Sequence, residues 1–166
     1  LKISTLSVLS LLSAFAVNAQ TTIIYAGKML AGTEQDVKEE QTLVIEDNKI
    51  AAIKSGYLTK EQLNLSDADV IDLKNQMVLP GLIDMHVHVT FERDAKRNPH
   101  KWTTEYEADN ALRSLKYLQR TVNAGFTSVR DLGSSYQVIF PLKRAIERGD
   151  IVGPRIFAAG DMITPT

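Results

Sequence analysis

Two histidines separated by one residue, His86 and His88, stand at the end of the apolar run MVLPGLIDMHVHV. Side chains two apart on a strand share a face, so this spacing sets two imidazoles side by side. Neutral imidazole nitrogens bind zinc at about 2.0 Å, and two of them supply half of a tetrahedral shell. The spacing alone also fits a pair of hydrogen-bonded core residues, because a lone His-x-His recurs by chance. Context favours the metal. The chain holds only 3 histidines, and two of them share one face of an apolar strand expected to be buried, where an unpaired polar ring is costly.

Three further residues lie where they could serve such a site. Asp84, two residues before His86, is expected on the same face one layer deeper, as a carboxylate that orients its neighbours by hydrogen bonds rather than as a ligand. Asp131 ends the next strand, at the edge where α/β folds gather their ligands. A salt bridge with Arg130 or a neighbouring loop is its default reading, and a role toward substrate or the metal surroundings is the alternative. His100, in RNPHKW, falls in the loop after the histidine strand; it is expected to be solvated, in a loop that borders the pocket and could touch substrate. With no cysteine in the chain, thiolate ligation and disulfides are both excluded.

The elements that must position these residues are legible in the hydrophobic pattern. From Thr22 to about Leu79 short strands alternate with turns: TTIIYAGKML, then TLVIEDNKIAAIKSG with a turn at Asp47-Asn48, then VIDL, followed by a turn at Lys74-Asn75-Gln76 leading into MVLP. This is a small β-rich unit. After Pro80-Gly81 the period changes. LIDMHVHV reads as an apolar strand. A helix then starts near Thr103 or Thr104, where Thr104 and Glu107 fit a capping box, and Ala108, Leu112, Leu115, Leu118 and Val122 recur at helical spacing as its core face. Gly125 closes it. FTSVRDLG is the next strand; a helix follows over roughly 140–148, with Pro141 in its first turn and Gly149 as its stop. GPRIFAAGDMITPT supplies a third strand. Such alternation of strands and helices predicts a parallel sheet with crossover helices, either an open doubly wound sheet or part of an eight-stranded barrel. The glycine signature of a dinucleotide site is absent, since Gly81 precedes the first strand, and this disfavours the open sheet.

Composition narrows the partners. With 44% hydrophobic and 23% charged residues and a net charge of -1, the chain is an ordinary globular one, with no basic footprint for nucleic acid and no polybasic membrane patch. Small molecules are the expected partners, and oligomeric state is not legible. The first residues, LKISTLSVLSLLSAFAVNAQ, carry one early lysine, an apolar serine-rich run too short to anchor in a bilayer, and a small-residue cleavage pattern ending at Ala19. The expected division is a signal peptide over 1–19, the β-rich unit over 20–79 and the strand–helix unit over 80–166. The product is expected to be exported, periplasmic or secreted, and free of the membrane after cleavage. The start at Leu1 and the stop at Thr166 suggest an N-terminal fragment.

LPGLIDMHVHV resembles the first barrel strand of the amidohydrolase superfamily. AGFTSVRDLG and GDIVGPRIFAAGDMITPT resemble its imidazolonepropionase-like and Xaa-Pro dipeptidase (prolidase) branch. The resemblance implies a small N-terminal β-sandwich followed by the first three strands of a truncated TIM (β/α)8 barrel. It implies a metal-dependent hydrolase of C–N bonds in amides, cyclic amides or dipeptides, using one or two Zn²⁺ ions, with His86 and His88 as first-strand ligands. The remaining ligands and the catalytic acid/base would lie beyond Thr166, so the fragment alone is expected to be inactive and, with open sheet edges, prone to aggregate. Two other readings are a metal phosphoesterase of another His-x-His barrel family, disfavoured by the β-rich segment and the LPGLID lead-in, and a non-catalytic barrel binding protein that has lost its ligands.

Overall fold

The computed structural model describes residues 21–32, 36–91 and 105–163. They form an α/β structure of two compact units divided between Pro80 and Gly81. His100, the Thr104 cap and the N-terminal run fall outside the described residues.

The first unit contains β1 (Thr21–Leu30), β2 (Val37–Glu46), β3 (Lys49–Ser55), the short α1 (Lys60–Leu63) and β4 (Asp69–Val78). Its sheet has the order β3-β2-β1-β4, with β1 antiparallel to β2 and parallel to β4. Among the described residues this unit has one sheet, and it is mixed. Asp47 and Asn48 both have positive φ, 49° and 61°, the geometry of a two-residue hairpin turn whose twist matches its flanking strands. Ala26, Met29 and Leu43 form its small core. Buried Thr42 accepts the Leu58 N–H at 3.0 Å and donates to the Gly56 carbonyl at 2.6 Å, fixing the segment after β3. That segment leads into α1, which opens with a capping box of Thr59 and Gln62.

The turn expected at Lys74-Asn75-Gln76 is a bulge inside a continuous strand. Ala26 pairs with Leu73 and Lys28 with Met77, so three β4 residues oppose Gly27 alone. A Cβ on Gly27 would lie far inside van der Waals contact with the Lys74 carbonyl. Glycine here lets the bulged backbone sit against β1, and the polar run that mimics a turn is the price of an irregular edge strand.

The second unit contains β5 (Leu82–Val87), α2 (Glu107–Asn123), β6 (Phe126–Asp131), α3 (Tyr136–Arg148) and β7 (Arg155–Ala158). Its three strands are parallel and lie side by side in chain order. Val129 and Ile156 on the sheet, Leu118 on α2, and Val138, Ile139 and Leu142 on α3 form its core; each fully buried aliphatic side chain of this kind contributes about 1.5–3 kcal/mol.

Three expectations are corrected in this unit. First, α2 buries Ser114 and Leu118, with Ala111 and Leu115 packed beside them, whereas Leu112 is 69% exposed; the inward stripe is rotated from the one the apolar spacing suggested. The start of α2 is fixed by Asp109, whose carboxylate accepts the Tyr106 N–H at 2.9 Å. Second, α3 begins at Tyr136, so Pro141 lies in its second turn and costs the helix one bond to the Gln137 carbonyl. Asp161 accepts the Tyr136 N–H at 3.1 Å and secures this earlier start from a distant loop. Third, β5 is not buried. Among the described residues it is an edge strand paired with β6 alone, and Ile83 is 59% and Met85 53% exposed. The terminators hold: Gly125 and Gly149 follow their helices with positive φ.

Candidate functional site

The site grows from a second bulge, in β5. Asp84 pairs with Val129 and Val87 with Asp131, so Met85 and His86 together oppose Arg130. The extra residue frees two backbone groups from the ladder, and both find side chains. The Asp84 carboxylate accepts the His86 N–H at 3.0 Å, and the Arg130 Nε donates to the Met85 carbonyl at 2.8 Å. Asp84 therefore orients the histidine's backbone, and Arg130 is occupied by that carbonyl.

The two imidazoles lie together. Their ring centroids are 5.3 Å apart with planes at 71°, so they lie side by side although His86 is part of the bulge. His86 is exposed and His88, one residue past the strand, half-buried. The Phe91 ring stands edge-on to His88 at 5.7 Å. His88 Nδ1 lies 2.7 Å from the Gly133 carbonyl oxygen. A carbonyl only accepts, so this bond places the proton on Nδ1 and leaves the Nε2 lone pair available.

Asp131 is fully buried, and of the two partners expected for it, Arg130 or a neighbouring loop, it is the neighbouring loops that hold it, by hydrogen bonds and not by a salt bridge. Its carboxylate accepts the Val89 N–H at 2.8 Å, the Gly133 N–H at 3.1 Å and the Ser134 hydroxyl at 2.9 Å. The neighbouring loops satisfy it with neutral donors, while the Arg130 side chain reaches across to the Met85 carbonyl on β5. Gly133 and Ser134 were not singled out from the sequence. The signal was present in Asp-Leu-Gly-Ser, since an aspartate commonly bonds the backbone N–H two residues on.

The pair suits a metal as far as it goes. Two imidazoles side by side, one with Nδ1 held against a backbone carbonyl, are a normal half of a zinc shell. Among the described residues no group of three or more His, Cys, Asp or Glu side chains gathers around a common point, so His86 and His88 have no third partner there.

Comparison with solved structures gives the fold class. A Xaa-Pro dipeptidase with bound methionine in its active site is similar at 36% identity and a TM-score of 0.75, over 87% of this chain and 34% of that one. Residues 77–166 match the Amidohydrolase family, and the chain belongs to that family. Among curated relatives, ochratoxinase from Aspergillus niger is 29% identical over 150 residues, 89% of this chain and 30% of that protein. Imidazolonepropionase from Thermoplasma volcanium is 32% identical over 99 residues, 60% of this chain and 23% of its own length. The chain thus spans about a third or less of the proteins it matches.

Proposed function

We propose that the complete protein is an exported, zinc-dependent hydrolase of C–N bonds in small amides, cyclic amides or dipeptides, and that His86 and His88 supply two of its metal ligands. One observation carries the reading: in a member of the amidohydrolase family, His88 is held with Nδ1 toward the Gly133 carbonyl and its Nε2 free, 5.3 Å between centroids from His86. The relatives are named for such chemistry, as Xaa-Pro dipeptidase and imidazolonepropionase.

The contribution of this chain to the reaction is orientation. Asp84 holds the His86 backbone, the Gly133 carbonyl holds the His88 ring, and the two imidazoles lie side by side with centroids 5.3 Å apart. When bound, zinc lowers the pKa of water toward about 7 and polarises the scissile carbonyl. Among the described residues His86 and His88 are two donors, where a catalytic zinc site takes three from the protein, so at least one further ligand is expected from outside the described residues.

Metal analysis of the complete protein, followed by a screen of Xaa-Pro dipeptides, N-acyl amino acids and cyclic amides, tests the reading. Changing both His86→Ala and His88→Ala is expected to lower zinc affinity more than the roughly 10–100-fold lost with an outer partner, and to abolish hydrolysis. Unchanged zinc uptake in a folded double variant would remove both histidines from the metal site. A protein that takes up no zinc and hydrolyses nothing would revive the binding-protein alternative.

A further inference from the structure

Asp131 grips both ends of the bond that orients His88. One of its oxygens takes the N–H of Val89, the residue directly after His88, and the Ser134 hydroxyl; the other takes the N–H of Gly133, whose carbonyl receives the His88 ring. The loop after β5 and the loop after β6 are thus tied through a single buried side chain. A second tie, from the Leu132 N–H to the Val87 carbonyl at 3.1 Å, continues the pairing of the two strands up to this point.

We propose that Asp131 is a positioning residue for His88: it fixes the Gly133 carbonyl so that His88 carries its proton on Nδ1 and offers Nε2 outward. The proposal rests on the reading of His88 as a metal ligand. The chemistry of the clamp supports it. An ionised carboxylate is acceptor-only, and all three groups facing Asp131 are donors. An amide in its place cannot serve them all, because whichever oxygen becomes NH₂ meets a donor. Ser134 could turn its hydroxyl round, but the Val89 and Gly133 N–H groups cannot. Asparagine therefore sets a donor against Val89 or Gly133, on one side or the other of His88, at nearly unchanged volume.

Three variants of the complete protein test this: Asp131→Asn, Ser134→Ala, which removes one donor only, and Asp161→Ala, which removes a carboxylate bonded to backbone in the same unit but not to either loop end of His88. In metal-free protein at about pH 8, where an ordinary histidine is neutral, ¹H–¹⁵N spectra of the ring nitrogens report the tautomer. Zinc titration against a chromophoric chelator reports affinity. The wild type is expected to show His88 protonated at Nδ1. Asp131→Asn is expected to lose that preference and bind zinc about 10–100-fold more weakly. Ser134→Ala should move both readouts the same way by a smaller factor, and it decides the matter if Asp131→Asn does not fold. Asp161→Ala should move neither.

A folded Asp131→Asn protein with wild-type tautomer and zinc affinity would overturn the proposal, as would an equal response to Asp161→Ala. If the wild type takes up no zinc, yet its His88 tautomer is lost in Asp131→Asn, the metal reading fails and the positioning role stands.

Discussion

The bulges in β4 and β5 use the same local device for different ends. In each, an aspartate accepts the backbone N–H two residues on: Asp72 from Lys74 and Asp84 from His86, both at 3.0 Å. In β4 the extra residues are accommodated by the missing side chain of Gly27, and the Lys74 ammonium ends 4.8 Å from the Tyr25 ring centre and 5.1 Å from that of Tyr57. In β5 the freed groups are taken by Asp84 and Arg130, and the displaced residue is a histidine. A bulge is a way to re-aim a side chain. One of these turns a lysine onto two aromatic rings within its own unit, and the other sets an imidazole beside a second one.

If the β4 bulge is held by shape, Gly27→Ala should have the largest effect on stability. The obstructing atoms are backbone, so the strands must part. A loss of about 1–3 kcal/mol is expected, read by urea denaturation, with zinc affinity unchanged; a neutral substitution would mean that the bulge is held by something other than close approach. Next comes Asp84→Ala, which leaves the His86 N–H without its acceptor. Stability should fall by about 1 kcal/mol, and zinc affinity should fall with it. An effect on stability alone would make the two bulges equivalent and strip the second of its functional meaning.

The smallest effect is expected at Asp72. The hydrogen bond from the Lys74 backbone, with help from the Lys74 side chain, holds this exposed carboxyl below its usual pKa. A depressed pKa contributes stability above the unfolded value of about 3.9 that is lost as pH falls through the folded one. Comparing wild type with Asp72→Asn in acid should therefore show a slight convergence of unfolding midpoints below about pH 4. A gap that widens on acidification would reverse the sign assigned to this interaction.

What was legible in the sequence was local and periodic. The His86/His88 pair came from strand alternation, the parallel order of β5, β6 and β7 from the alternation of element types, and the helix ends at Gly125 and Gly149 from residues with free access to positive φ. The rest depends on partners far along the chain. Nothing near Lys74-Asn75-Gln76 shows that Gly27 lies opposite, so a polar run read as a turn. Nothing near Asp131 shows that Val89 would supply a donor in place of the adjacent Arg130. The start of α3 was missed because Asp161, 25 residues away, secures it ahead of a proline that suggested a later beginning.

The bonds around His88 also bear on the order in which the chain is made. Its ring reaches the Gly133 carbonyl across 45 positions, and the Val89 backbone reaches Asp131 across 42. Every group that touches either bond has emerged by Ser134. The bonds that orient this histidine thus come from one contiguous stretch of the second unit, all of it made before anything beyond Ser134.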